Sequence, residues 1–574
     1  MSYPESTESR FYRFIPILSW LKTYTRKDFG DDLFAGIITA ILLVPQGIAY
    51  ALLAGLPPQL GLYASILPPI CYAVLGTSRT LSVGPVSIAA IMIASALNSP
   101  EIKLLGNSEE NALVLSAMVG VILLFMSLLR MGNLVNFISH PVLTGFTSGA
   151  SILIIASQLP PLLGFNPVEC GIDVQCFSSL FNAPNTITIA IGLTALALLI
   201  LFGKPLTALL KKARVPTQMI IAISKCGPLL TIMLATFIVT KWHLFDQHVA
   251  VVGAVPSGFP SLGMGFLSVE HWRPLLPYAA FIALIAYVES VAIAKVTANL
   301  RNEKISANQE LIALGAANLV TSLSGGMTVA GGFSRTMVNY SAGARTQMAT
   351  LIAASLLGLA VVYFSPLFHN IPKAALAAII LVAIVPLVKI KSIIHTWRYD
   401  RGDGIAELVT LIGVLTLGIE EGITLGIILT VVSHLRKTSH PHIAIVGRIP
   451  DTEHYRNVKR HQVETWHHLL LLRVDESITF ANVNFIDDFI TTELRKQPAI
   501  KHIVLIFTSV NDIDATALEA LENLNHVLQN SNITLNLAEA KGPVIDKLEK
   551  TDFFKQLKPG KLFFRTEDAV KELA

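Results

Sequence analysis

Long apolar stretches, separated by short polar or glycine- and proline-rich breaks, recur from residue 33 to about residue 436. Residues 33–78 hold no charged side chain and are long enough for two crossings of a bilayer, broken near Pro57 and Pro58. At about 20 apolar residues per membrane helix, the pattern predicts fourteen spans: 33–55, 60–76, 86–98, 111–129, 135–157, 184–202, 217–240, 273–297, 306–322, 333–343, 347–366, 374–388, 405–418 and 422–436. Two of them, 86–98 and 333–343, are too short to cross alone. Beyond residue 440 the pattern changes. Strand-like runs (Ile443–Val446, Leu469–Arg473, Ile503–Phe507, Ile533–Leu537) alternate with helix-like ones (Val483–Arg495, Ala515–Gln529, Val544–Glu549), which predicts an α/β domain.

Charge follows the same division. Only 14% of the 574 residues are charged, against about 25% in an ordinary soluble domain. Up to Lys437 there are 27 Lys/Arg and 20 Asp/Glu, whereas the last 137 residues carry 16 and 19. A purely cytosolic enzyme, a secreted disulfide scaffold and a disordered tail protein are excluded, and a net charge of +4 is too small to argue for nucleic acid. The predicted organisation is a cytosolic lead-in over 1–30, a membrane domain over 31–437 and a soluble domain over 440–574. The lead-in has no apolar core, so no cleavable signal peptide is expected. Arg79, Arg130, Lys211, Arg301, Arg345, Arg398 and Arg436 fall in alternate loops, and Glu101, Glu169 and Glu420 in the others. Basic loops stay inside, so both termini are expected in the cytosol and the chain in the inner (plasma) membrane. Cys170 and Cys176 share one outer loop, where they either pair or remain free thiols. His454, His461, His467 and His468 fit no zinc spacing and read as a solvated linker, so no metal is expected.

The two short spans each follow a stretch unsuited to helix, Thr80–Pro85 and Ser324–Gly332. Non-helical backbone at membrane depth survives only where protein or a water-filled cavity satisfies its polar groups. Paired interruptions in two halves of a chain point to a transporter's binding site. Here they are the third spans of two seven-span halves, about 33–240 and 273–436. Seven is odd, so the second half is inverted relative to the first. The expected fold is an α-helical polytopic membrane protein of two inverted repeats, with two half-helices meeting at the midplane.

That arrangement selects charge. Helix N-termini expose unpaired amides and roughly half a positive charge each, so two facing one cavity form an anion site. Ser87 and Ser334 stand at these N-termini, as added donors or as ordinary caps. Arg335 either completes the positive field or makes a structural ion pair. Glu289, deep in the eighth span, is a functional candidate by position. Its protonation would remove its repulsion of an anion, which suits coupling of H+ to uptake; the alternative is a buried salt bridge to Arg335 or Lys295. Gln46, after Pro45, offers uncharged hydrogen bonds. Lys225 is out of place inside the seventh span; it either snorkels or marks a misplaced boundary.

These same segments carry a family resemblance. Pro45-Gln46-Gly-Ile-Ala-Tyr50 through Pro57-Pro58 and Gly61-Leu-Tyr63, Gly76-Thr-Ser-Arg79 with Ser82-Val-Gly84-Pro85-Val86, and Asn308-Gln-Glu310 with Gly332-Phe-Ser334-Arg335 resemble the sulfate permease (SulP) signature over nearly the whole chain. The resemblance implies a core moving against a scaffold, dimers, and a substrate site lined by Gln46, Tyr50, Val86, Phe333, Ser334 and Arg335. Glu289 matches the acidic position associated with proton coupling in some members. Val86 is small where some members carry an aromatic ring, and Gly325-Gly326-Met327-Thr328-Val329-Ala330 replaces the more usual Pro-Val-Thr-Gly-like run, leaving Gly331-Gly332 in front of Phe333; both bear on pocket size.

The soluble block resembles the STAS domain that ends most of this family. In phosphorylated relatives a Ser or Thr follows the Asp at a strand-to-helix turn; here the run is Asp512-Ile-Asp514-Ala515-Thr516, so the matching Ala515 accepts no phosphate, and Thr516 reads as a helix cap or, as the alternative, a substitute acceptor. The leading expectation is a secondary active transporter of sulfate by proton symport. The runners-up are a Na+-coupled bicarbonate transporter, a dicarboxylate transporter or an anion exchanger, and, from another class, a membrane-tethered STAS regulator. No Gly-Lys-Ser/Thr motif, triad or cofactor loop is present, so neither an ATP-driven pump nor an enzyme is expected. No cofactor is implied; the coupling ion is H+ or Na+. Expected partners are a small inorganic anion, the lipid bilayer, a second copy of the chain and a cytosolic protein for the STAS block.

Overall fold

The computed structural model describes residues 15–136, 139–165, 185–256, 258, 262–267 and 269–574. Cys170, Cys176 and Glu169 lie outside the described residues, as do residues 1–14 of the lead-in. The chain forms two compact units, Met1–Ile427 and Ile428–Ala574.

The first unit is helical. Helix α1 (Arg26–Leu53) starts at a reciprocal cap, in which Thr25 Oγ1 accepts from Asp28 N at 3.2 Å and Asp28 Oδ2 accepts from Thr25 N at 3.0 Å. Pro45 in its interior removes one helical hydrogen bond beside Gln46. Two shorter helices, α2 (Pro58–Tyr63) and α3 (Leu67–Leu75), make up the second predicted span. Strand β1 (Val83–Gly84) leads into α4 (Ser87–Asn98), and α5 (Ser108–Leu128) and α6 (His140–Leu163) follow. Next come α7 (Thr186–Phe202), α8 (Lys204–Lys212), α9 (Thr217–Lys225) and α10 (Gly227–Lys241). The second repeat runs through α11 (Val269–Leu300), α12 (Ala307–Leu323), β2 (Ala330–Gly331), α13 (Phe333–Ser341) and α14 (Met348–Phe368). It ends with α15 (Lys373–Ile384), α16 (Ile390–Tyr399), α17 (Arg401–Thr416) and α18 (Ile419–Ser439).

Every predicted span carries helix, but boundaries move. In the segment expected at 135–157 the α-helix starts at His140 and continues to Leu163, after a 3-10 turn over Met131–Asn136. The one expected as a single span at 217–240 is two helices, because Pro228 opens the second and cannot donate to the preceding turn. Lys225 is the last residue before that break, half-buried, which accounts for a lysine within an apolar run.

The helices sort into two packed groups. In one, α5 packs on α11 and α12, α1 on α14, and α3 on α12 and α14; this group also holds α4 and α13. In the other, α6 packs on α15 and α17, α7 on α10 and α15, and α16 on α17. The groups touch where α1 meets α10 and α15, and where α4 meets α6. Small residues bring backbones together, as packing in lipid requires. A Cβ on Gly61 would lie 1.9 Å from the carbonyl oxygen of Gly47, and one on Gly120 2.9 Å from that of Gly315. Among the described residues nine helical stretches are long and apolar enough to cross a bilayer, four of them (Pro58–Leu75, Thr186–Lys212, Met219–Lys241 and Lys373–Tyr399) made of two α-helices in succession, with Ser87–Asn98 a shorter apolar helix.

The second unit is a six-stranded sheet in the order β4-β3-β5-β6-β7-β8. Its strands are β3 (Ile443–Arg448), β4 (Tyr455–Asn457), β5 (Leu469–Val474), β6 (His502–Ile506), β7 (Thr534–Ala538) and β8 (Leu562–Phe563). Strands β5 to β8 are parallel, and β3 and β4 extend the sheet antiparallel. Alternation decides the faces. Leu470, Leu472, Ile503 and Leu505 face a core shared with α19 (Val483–Lys496) and α20 (Ala515–Asn530). Leu469, Leu471, Val504 and Ile506 face the other, with Ala569 and Val570 from the C-terminal helix Thr566–Leu573. The histidine-rich stretch is only partly a linker: it contains β4, and His468 Nε2 lies 3.1 Å from the carbonyl oxygen of Leu573.

Candidate functional site

Strands β1 and β2 pair antiparallel, Val83 opposite Gly331 and Gly84 opposite Ala330. Each continues within a few residues into a short helix. Because the strands run in opposite directions, α4 and α13 leave the crossing in opposite directions with their N-termini adjacent. Neither helix has a side-chain cap: the N-cap positions are Val86 and Gly332. The first-turn amides of both helices are therefore without a side-chain acceptor.

Buried polar side chains hold this irregular backbone in place. Ser290 Oγ accepts from Gly331 N at 2.8 Å, and Thr336 Oγ1 from Ser82 N at 3.0 Å. Asn339 Nδ2 donates to Thr80 O at 3.0 Å, and Gln347 Nε2 to Ser78 O at 2.7 Å. Asn318 both donates to Val329 O at 3.0 Å and accepts from Val329 N at 2.9 Å. Before β1, the buried Glu310 accepts from Tyr72 Oη, from Thr77 N and Oγ1, and from Ser78 N, at 2.5–3.1 Å. Glu310 belonged to a motif with no assigned role; it anchors the turn that aims β1.

Arg335 lies at the crossing and is 2% exposed. Its Nη1 donates to Pro85 O at 2.7 Å, which joins the second half-helix to the first. Its Nε and Nη2 are buried with no hydrogen-bond partner. A Cβ on Gly84 or Gly332 would stand 3.2 or 3.1 Å from Nη2, so these glycines make room for the guanidinium. Tyr50, from α1, lies within electrostatic reach of Arg335 and Glu289, with Ser87 beside it. Gln46 lies one turn earlier on the same helix, its Oε1 buried and unpartnered. Glu289 Oε2 is also unpartnered, and no ion pair joins Glu289 to Arg335 among the described residues. Val86 packs with Ala89, Ala286 and Ala330 as an apolar wall.

The structure thus brings Tyr50, Ser87, Glu289 and Arg335 together, with Gln46 and Val86 beside them. Phe333 and Ser334 sit at the tip of α13 but are exposed, Phe333 to 48%. Ser290, Thr336, Asn339, Gln347 and Asn318 were not anticipated as supports; polar side chains within otherwise apolar helices were the available signal. Glu407, also unanticipated, is fully buried on α17 with both carboxylate oxygens unpartnered.

In the second unit Asp514, not Thr516, caps α20, accepting from Ala517 N at 2.8 Å; Thr516 is exposed. The side-chain hydrogen bond from Lys547 holds the Asp512 carboxyl below its ordinary range. No group of metal-ligating side chains occurs among the described residues.

The sequence pattern of the sulfate permease family matches residues 29–410, and that of the STAS domain residues 460–570. The chain is 33% identical to sulfate transporter 4.1, chloroplastic, of Arabidopsis thaliana, covering 97% of this chain and 82% of that one. It is 31% identical to high affinity sulfate transporter 2 of Stylosanthes hamata, covering 97% and 85%. The murine Slc26a9 anion transporter in the inward-facing state matches with a TM-score of 0.88 at 20% identity, covering 99% of this chain and 95% of that one. The transmembrane domain of a cyanobacterium bicarbonate transporter, BicA, matches with a TM-score of 0.59 at 21% identity, covering 71% and 98%. At such identities these two structures speak for the fold alone.

Fold and sequence together define a multi-pass membrane anion transporter with an α/β STAS domain, and not an enzyme. The chain belongs to the sulfate permease family.

Proposed function

We propose that the protein takes up sulfate by proton symport, binding the anion between the N-termini of α4 and α13. The observation that carries this reading is Arg335: a buried guanidinium with two unpartnered nitrogens, set between two uncapped helix N-termini. Charge arithmetic favours a divalent oxyanion. Two helix N-termini contribute roughly +0.5 each and Arg335 a further unit, about +2 in all. An ionised Glu289 reduces this to about +1, and a protonated one restores it. Proton binding at Glu289 therefore matches the site to a dianion, and proton release weakens that match. Both plant relatives carry names that specify sulfate, which supports the same substrate.

In this mechanism Tyr50, Gln46, Ser87 and Ser334 supply neutral hydrogen bonds, while Val86 and Phe333 bound the space. The core group (α1 to α5 and α11 to α14) carries the site past the scaffold group. The protein works as a homodimer in the plasma membrane with both termini inside, uses no cofactor, and offers its STAS unit to a cytosolic partner.

Labelled-sulfate uptake into proteoliposomes, with bicarbonate, chloride and succinate as competitors and with or without Na+ and a pH gradient, tests the proposal. Sulfate uptake accelerated by external acid and indifferent to Na+ is the expected result. Uptake of bicarbonate alone, driven by Na+, would replace it with the runner-up. No flux of any anion would return the regulator reading.

A further inference from the structure

The helix α16 carries two parallel stripes. Ile390, Ile394 and Trp397 recur at i, i+4 and i+7 and are all exposed, Trp397 to 43%. Lys391, His395 and Arg398 recur at the same spacing one residue on, about 100° around the helix, and are also exposed. Ser392, Ile393 and Thr396 turn inward against the protein. Lys389 and Arg401 flank the helix, and Tyr399 at its end is 90% exposed.

No carboxylate lies within α16. The adjacent Asp400 caps α17, accepting from Gly402 N at 2.8 Å and Asp403 N at 3.2 Å. None of Lys389, Lys391, Arg398 and Arg401 makes an ion pair among the described residues. An exposed apolar stripe beside a basic one, with Trp and Tyr at the margin, is what lies flat at a bilayer surface: apolar side chains enter the acyl boundary while cations meet the headgroups. In a membrane-spanning chain, a helix of 10 residues between two apolar helices is suited to that plane and too short to cross.

We infer that α16 is an interfacial anchor that binds the phosphate headgroups of acidic phospholipids. Charge complementarity commits it to that occupant: four cations and two interfacial aromatics fit an anionic lipid surface better than a neutral one. A second group of basic residues on a short surface helix, Lys204, Lys211 and Lys212 on α8 with exposed Leu209, has the same chemistry. Both helices belong to the group built on α6, α7, α15 and α17, and neither to the group that carries Arg335 and Glu289. The lipid-held body is thus the scaffold, and the site-bearing body is free to move against it.

The full-length protein, reconstituted in phosphatidylcholine vesicles with or without phosphatidylglycerol, tests this without reference to any transported ion. Native mass spectrometry should find phosphatidylglycerol retained in preference to phosphatidylcholine. The double variant Lys391→Gln/Arg398→Gln should reduce that retention roughly tenfold or more, while Lys501→Gln/Lys550→Gln, which removes the same charge from the STAS unit, should leave it unchanged. Brominated acyl chains should quench the native protein's fluorescence, with a component missing in Trp397→Phe. Equal retention of both lipids by the native protein, unchanged retention in Lys391→Gln/Arg398→Gln, or no quenching of Trp397 would each overturn the inference. The conservative pair Lys391→Arg/Arg398→Lys should keep the preference, and its loss there would also count against charge as the cause.

Discussion

The chain turns twice from a two-residue strand into a half-helix, and the two turns differ in what they carry. At the first, buried Val86 precedes a buried Ser87 that neighbours Tyr50. At the second, Gly332 precedes an exposed Phe333 and Ser334, and then a buried Arg335 that reaches back to Pro85. The backbone is shared between the repeats, while the charge belongs to the second. One repeat therefore supplies a wall and amides, and the other supplies amides and the cation. An inverted repeat fixes where two helix tips meet; the side chains then decide which tip binds.

Arg335→Gln should break this asymmetry most severely. It removes the one full positive charge at the crossing, and hydrogen bonds to charged groups are worth about 1.5–3 kcal/mol. Sulfate affinity should fall roughly 10- to 150-fold, and a change within threefold would show that the guanidinium serves the fold alone. Glu289→Gln should abolish the acceleration of uptake by an acid-outside gradient, roughly tenfold per pH unit, while leaving binding within a few-fold. Acid-stimulated uptake that persists would place the coupling group elsewhere.

Gly332→Ala sharpens the comparison. The added Cβ would stand 3.1 Å from Arg335 Nη2, and overpacking of this kind costs about 1 kcal/mol or more. Affinity should drop several-fold by displacement of the guanidinium, without loss of folded protein on size exclusion. The serines separate the two turns most finely. Ser334→Ala should weaken binding roughly fivefold, the worth of a neutral hydrogen bond of about 1 kcal/mol, whereas Ser87→Ala, already a neighbour of Tyr50, should weaken it less. Equal effects in a competition assay would make the tips equivalent.

How much of this was legible beforehand differed by residue. Apolar length and the alternation of basic loops located the helices, and the glycines and prolines ahead of residues 87 and 333 marked the interruptions. Arg335 and Glu289 stood out because an ionisable side chain at membrane depth needs a reason. Ser290, Thr336, Asn339 and Gln347 did not, because a hydroxyl or amide in an apolar helix reads equally as local backbone bonding. Their partners also lie far along the chain: Asn339 and Thr80 are 259 residues apart. The break after Lys225 was masked by apolar residues on both sides of Pro228. In the STAS unit β4 and β8 are too short, at 3 and 2 residues, for alternation to register, and the cap of α20 is Asp514 because the helix starts at Ala515, which puts Thr516 already inside its first turn.

The most direct test is to locate the anion itself. Selenate, a sulfate isostere whose selenium scatters anomalously, should be found within hydrogen-bonding distance of the first-turn amides of both α4 and α13 and of Arg335 Nη2. Selenate bound at any other position, with the space between those two helix ends filled by apolar side chains, would contradict the account.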